Sequence, residues 1–155
     1  MATKIILCSD NHGYIDPINQ ILNDNQFADY YIHCGDLCFD PVLAKPFLVV
    51  SGNNDYYYEL DRQRILEIEN NRILVFHGTG YTYSLNLLVD KAKDNNCNVV
   101  FFGHTHSFFN ETYKGIRLIN PGSCWRNRDG SNPCYALITI DNDSIDVQRV
   151  DLENI

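Results

Sequence analysis

Apolar positions along this chain come in short blocks, and nearly every block ends at a polar cluster. Residues 4–9 form a β-branched run that reads as a buried strand. Residues 16–23 place Ile18, Ile21 and Leu22 at helical spacing. Residues 30–34 read as a second strand, 40–44 as one helical turn and 47–51 as a third strand. This βαβαβ rhythm predicts a parallel sheet with helices packed on it. Residues 64–68 and 72–76 flank Asn70-Asn71, a predicted hairpin turn because Asn tolerates positive φ. Residues 83–93, with Leu87, Leu88, Val89 and Ala92, predict a helix, and 98–102 a buried strand. The remainder is mostly strand: 108–113 and 116–119 around Lys114-Gly115, then 135–140 and 145–150 around a turn at 141–144. Strand content so late in the chain implies a second sheet packed on the first. The expected fold is α/β, with two mixed β-sheets packed as a sandwich and flanked by helices in a four-layer αββα order. One domain is expected over residues 1–155, with 151–155 a loose terminus.

Composition narrows the function classes. A chain of 155 residues should bury roughly 68–70% of its unfolded surface, enough for a real core. No biased tract, linker or internal repeat interrupts it. A formal net charge of −8 argues against sequence-independent binding to nucleic acid or anionic membranes, which needs a basic face. It leaves room for a small phosphorylated substrate, because local charge can oppose the global sign. Met1 leads straight into a strand-like segment, without a basic and then apolar leader. No apolar run approaches the roughly 18 residues of a membrane span. A cytoplasmic protein is expected. The six cysteines, Cys8, Cys34, Cys38, Cys97, Cys124 and Cys134, include no CxxC pair. Without a secretory leader they are expected to be reduced, with Cys8 and Cys34 filling strand positions as small hydrophobes.

The polar clusters carry the chemistry. Asp10-Asn11-His12 follows the first strand, Gly35-Asp36 the second and Gly52-Asn53-Asn54-Asp55 the third. His77-Gly78 and Gly103-His104-Thr105-His106 follow two later ones. Ligands of open α/β sheets collect beyond the carboxyl ends of the parallel strands. One such cluster is an ordinary turn or helix cap, but five at successive strand ends predict a shared polyvalent metal site. Asp10/His12 and His104/His106 are spaced i, i+2. That spacing reaches one point from an extended segment or a strand-end turn, not from a helix. Gly13, Gly35, Gly52, Gly78 and Gly103 allow sharp turns and close backbone approach. The candidate ligands are Asp10, His12, Asp36, Asn53, His77, His104 and His106. Mixed imidazole and oxygen donors suit Mn²⁺, Fe²⁺, Zn²⁺, Co²⁺ or Ni²⁺ better than Ca²⁺ or Mg²⁺. Seven donors are too many for one tetrahedral ion and suit two ions about 3.5–4 Å apart with a shared carboxylate. Two aspartates and a hydroxide against two divalent ions leave the site net positive, which attracts phosphate.

The order and spacing of these clusters resemble the calcineurin-like metallophosphoesterase superfamily, whose pattern is D-x-H, G-D, G-N-x-[DE], a strand-end H and G-H-x-H. The small size and Asn120-Pro121-Gly122-Ser123 are similar to the compact YfcE-type phosphodiesterases. The resemblance spans roughly residues 4–140. It implies a phosphoesterase acting on diesters, with two divalent ions, Mn first among the candidates. Asp10, His12 and His106 would hold one ion, Asn53, His77 and His104 the other, and Asp36 would bridge them. A bridging hydroxide would attack phosphorus in line with the leaving oxygen. Asp36, Asn54 and His104 are the residues expected to act in catalysis. A non-catalytic, protein-binding scaffold resembling a eukaryotic retromer subunit is the alternative, and a metal-sensing module a third reading. Compact relatives are often dimers.

The sequence departs from the family pattern where the superfamily often has His after the Asn of G-N-x-[DE]. Asn54 stands there and cannot act as an acid at neutral pH. Activated or aryl esters are therefore the easier substrates. The Ser/Thr phosphatase motifs G-D-x-x-D-R-G and G-N-H-E are absent, and the segment after His77 reads His77-Gly78-Thr79-Gly80. His33 is expected to be a packed strand-end residue, with ligand support the alternative. Asp55 is equally a ligand-orienting group or a turn former. Tyr56-Tyr57-Tyr58 reads first as packing and second as an aromatic wall. Arg126 and Arg128 read as solvated loop charges, with phosphate contact the alternative. Ser123 and Cys124 have no neighbouring His or Asp to make a triad, and residues 120–123 read as a turn near the site.

Overall fold

The computed structural model describes residues 2–152. Its strands form two five-stranded sheets. In the first, β1 (Thr3–Cys8), β2 (Tyr30–His33) and β3 (Leu48–Val49) are parallel, and β9 (Cys134–Asp141) pairs antiparallel with β1 and with β10 (Ser144–Asp151). In the second, β5 (Asn71–Phe76), β6 (Val99–Phe101) and β8 (Ile116–Pro121) are parallel. The antiparallel edge strands β4 (Gln63–Ile68) and β7 (Phe108–Tyr113) flank them. Each sheet is therefore mixed, as expected, with its parallel strands directing their carboxyl ends toward one shared edge.

Strand alternation explains the layers. Ile5 and Leu7 of β1 face inward to meet Ile73 and Val75 of β5 and Phe101 of β6 in the core between the sheets. Ile6 and Cys8 face outward beneath Ile18 and Ile21 of α1 (Ile15–Asp24). Leu74 and Phe76 face outward beneath Leu88, Val89 and Ala92 of α2 (Leu85–Asp94). The order is helix, sheet, sheet, helix, the expected αββα sandwich. The single turn at 40–44 is a 3-10 turn, Pro41–Ala44, whose start is capped by Asp40.

Four details differ from the sequence expectation. Helix α2 starts at Leu85, because the Ser84 hydroxyl accepts the Asn86 N–H at 3.1 Å and ends the extended approach there; such a cap contributes about 1 kcal/mol. The β4–β5 turn falls on Glu69 and Asn70, with Glu69 at φ 54°. Asn71 is drawn into the strand because its amide donates to the Asn142 carbonyl (2.7 Å) and accepts from Asn98 (2.9 Å). Asn120 and Pro121 extend β8 and pair with Phe109 and Phe108, so the segment is strand end rather than turn. Asp151 closes β10, and Leu152 is buried with the α1 cluster while its N–H donates to Pro133. The loose terminus is thus corrected for these two; 153–155 lie outside the described residues. Among the described residues no helix is long and apolar enough to cross a membrane, and all six cysteines are free.

Candidate metal centre

The loops that leave β1 and β2 stay paired beyond the sheet. Asp10 N–H donates to Gly35, His12 to Asp36 and Gly13 to Leu37, at 2.9–3.0 Å. This ladder brings Asp10, His12 and Asp36 to one edge. The loop after β6 arrives beside it, with the His104 N–H donating to Asp10 Oδ2 at 3.0 Å. Asp10, His12, Asp36, His104 and His106 all adopt left-handed backbone, φ 47–73°. Five non-glycine residues there are strained by about 1 kcal/mol or more each, a pattern characteristic of functional sites. The i, i+2 pairs therefore converge from strand-end turns, not from extended chain. Gly52 and Gly103 serve by close approach: a side chain at Gly52 would strike the Asp36 carboxylate, and one at Gly103 would strike Ser9 and Asp10.

Distances show how tightly the donors meet. Asp10 Oδ1 lies 3.5 Å from His106 Nε2, 3.7 Å from His12 Nε2 and 3.8 Å from His77 Nε2. Asp36 Oδ2 lies between His77 Nε2 (3.4 Å) and His12 Nε2 (3.5 Å). His12 Nε2 is 3.0 Å from His106 Nε2, and His104 Nδ1 is 3.3 Å from His77 Nε2. His77 Nδ1 faces the Cys34 carbonyl at 2.7 Å and His106 Nδ1 that of Arg126 at 2.9 Å. A carbonyl only accepts, so these nitrogens carry the protons and both Nε2 lone pairs point into the site. Among the described residues, Asp10 Oδ1 is the one buried side-chain oxygen or nitrogen without a hydrogen-bond partner. An orphaned carboxylate oxygen facing imidazole lone pairs suits a divalent cation. Two overlapping donor groups, Asp10/His12/His106 and Asp10/Asp36/His77, have the compactness to hold one.

Protonation follows the same crowding. Burial would raise the Asp10 pKa, but His106, His12 and His77 hold it well below the usual carboxylate range. Asp36 is lowered, with burial opposed by His77 and by Asn54. His12 is raised, chiefly by Asp10. His77 is raised because Asp36 and Asp10 outweigh its burial. His104 is lowered by burial and by the neighbouring charge of His77.

The remaining sequence candidates fall into place unevenly. Asn53 sits at the rim, exposed, its carbonyl accepting from Thr79 at a long 3.5 Å. Asn54 turns onto Asp36: its backbone N–H donates to Oδ1 (2.9 Å) and its amide to Oδ2 (3.0 Å). Asp55 is buried and orients the site by accepting from the Asp36, Gly52 and Cys38 N–H groups at 2.7–2.9 Å. His33 is packed at the strand end. Its Nδ1 accepts from Gly35, so Nε2–H donates to Asn11 at 2.8 Å, and burial lowers its pKa to about 4. Asn11 in turn donates to Tyr14 and Leu37. Tyr56 and Tyr57 are 73% and 79% exposed, which excludes core packing for them.

The sequence reading missed the structural weight of the sixth strand end. Ser123 Oγ donates to the Asp10 carbonyl at 2.7 Å and accepts from Trp125 and Arg126. Asn120 donates to Gly103 O and Thr105 Oγ1, both at 3.0 Å. Trp125 packs 5.2 Å from the His12 ring and stacks on Tyr14 at 5.5 Å. The signal was there: a polar cluster closing the apolar run at 116–119, like the other five.

Two overlapping carboxylate–imidazole groups at the shared edge of an αββα sandwich make a candidate metal centre. The chain belongs to the calcineurin-like phosphoesterase superfamily, whose domain it matches over residues 3–143. It is a hydrolase of phosphate esters. It is 31% identical over 154 residues to a probable metallophosphoesterase, YsnB, of Bacillus subtilis, covering 96% of this chain and 90% of that protein. A conserved uncharacterized protein of Streptococcus pneumoniae, titled a predicted phosphoesterase, superposes with TM-score 0.89 at 24% identity, covering 97% of this chain and 90% of that one. Vacuolar protein sorting 29 of Cryptosporidium parvum superposes with TM-score 0.83 at 17% identity, over 99% and 93%. These two likenesses concern the fold.

Proposed function

We propose that the protein is a cytoplasmic phosphodiesterase that works with two divalent ions, Mn²⁺ first among them. The observation that supports this most is the position of Asp36 Oδ2 between His12 and His77, next to an orphaned Asp10 oxygen. Asp10, His12 and His106 would hold one ion; Asn53, His77 and His104 the other; Asp36 would contact both. When bound, the ions would supply Lewis acidity toward phosphoryl oxygens and a nucleophilic water at neutral pH.

The chain's own residues set the remaining terms. Asn54 and Asp55 fix Asp36 from both sides, through its carboxylate and its N–H. His104, its pKa lowered, is neutral at pH 7 and acts as a donor of lone pairs rather than as an acid. Asn54 carries no transferable proton, so no residue in that position protonates the departing oxygen. Aryl and other activated diesters are accordingly the better substrates. Bis(p-nitrophenyl) phosphate hydrolysis, after chelation and after adding back Mn²⁺ or Ni²⁺, tests this reading. Activity lost on chelation and regained with about two bound ions per chain is expected. Absence of turnover with every divalent ion would overturn it and favour the scaffold reading that the likeness to Vps29 raises; six inward-turned ionisable donors weigh against that reading.

A further inference from the structure

Beside Asn53 and His77 the surface opens into a cleft of about 720 Å³, within the range that admits a small organic ligand. One wall is the connection from β3 to β4, carrying Tyr56, Tyr58, Glu59 and Arg62; the other is Phe76, Tyr81 and Lys91. The two cations are 29 residues apart in sequence, and only the fold brings them to one cavity. Lys91 Nζ lies 5.0 Å above the Tyr81 ring and 5.8 Å above Phe76, which holds the ammonium at the cleft wall instead of leaving it free to swing outward. Among the described residues, neither Lys91 nor Arg62 has a carboxylate within ion-pair distance; the arginines so paired are Arg64, Arg72 and Arg149. Glu59 is the one acidic residue lining the cavity. On a chain of net charge −8, a cleft with two unpaired cations, one carboxylate and several aromatic rings is a local exception. Rings accept a flat heterocycle, and two spaced cations accept an anion that a simple alkyl or aryl ester lacks.

We propose that this cleft receives one ester arm of the substrate, and that the arm is a nucleoside bearing a second phosphate. The base lies against the tyrosines, the second phosphate lies between Arg62 and Lys91, and the scissile phosphate reaches the centre at Asn53 and His77. The proposal rests on the phosphodiesterase reading and sharpens it to small, doubly phosphorylated nucleotide esters.

The test is calorimetric binding of thymidine 3′,5′-bisphosphate and of thymidine 5′-monophosphate to the Mn²⁺-loaded full chain. The bisphosphate should bind roughly tenfold more tightly. In R62A/K91A that advantage should vanish. In E59Q, which removes the opposing carboxylate, it should grow a few-fold. The exposed helix lysine variant K93A should leave the advantage in place. Turnover of the p-nitrophenyl ester of thymidine 3′,5′-bisphosphate should follow, with R62A/K91A raising KM far more than it lowers kcat. Equal affinity for the two nucleotides, or an advantage that survives R62A/K91A, would overturn the assignment even in a protein that hydrolyses bis(p-nitrophenyl) phosphate. Failure of the hydrolytic reading is separate: it would show as no turnover of that simple diester while the bisphosphate advantage and its loss in R62A/K91A persist.

Discussion

On the side of Asp10, His12 and His106, nearly every donor is held from behind. Ser123 grips the Asp10 backbone, Ser9 and the His104 N–H hold its carboxylate, and Arg126 O fixes His106. Trp125 packs on His12. On the side of Asn53, His77 and His104 the support thins. His77 is anchored by Cys34 O, but Asn53 is exposed with one long contact to Thr79, and the cleft opens next to both. The first side is braced by several hydrogen bonds from neighbouring loops; the second carries fewer. A preformed side should bind its cation more tightly, and an open side should admit the substrate.

Asp36 stands between the two sides, so its removal should have the largest effect. Asp36→Ala should lower kcat by at least about a thousandfold, with the circular dichroism spectrum unchanged. Near-normal turnover in that variant would remove the shared-carboxylate scheme altogether.

His33 tests the scaffold of the first side alone. Its folded pKa, about 4, lies below the ordinary value of about 6.5. Between these values the unfolded chain takes up a proton that the folded chain refuses. Stability is therefore lost as pH falls from about 6.5 to about 4, by up to roughly 3 kcal/mol. Thermal unfolding of chelator-treated protein at several pH values should show this slope, and His33→Gln should flatten it. An unchanged slope would mean that His33 is not held neutral by its burial.

A smaller effect separates the sides directly. Ser123→Ala should weaken the tighter of two metal-binding events by roughly 10- to 100-fold in a titration of metal-free protein. Asn53→Ala should weaken the other event by less than that, a few-fold, because its side chain is poorly preorganised. If both variants act on the same event, the two sides are one site.

Smallest of all, Ser84→Ala should cost about 1 kcal/mol in denaturant unfolding, with metal binding untouched. It probes the helix beneath the cleft rather than the centre.

Much of this is legible in the sequence. The strand ends at Asp10, Asp36, Asn53, His77 and His104 were visible because an apolar block stopping at a polar cluster is a local pattern. The hairpin at Lys114-Gly115 was equally plain, since both residues take positive φ. Asn71 was misplaced by one residue because its partners Asn98 and Asn142 are remote in sequence. Ser123 and Asn120 were undervalued for the same reason: their hydrogen bonds cross from one loop to another.

Alternation and spacing determined which residues face the core, which elements form and which donor types gather at one edge, because burial of one face writes a period into the chain. Tertiary structure alone decided the left-handed turns at five candidate ligands, the turning of Asn54 onto Asp36 and the meeting of Arg62 with Lys91 in one cleft. Those depend on the register between parallel strands and on contacts between separate loops, which no local pattern records.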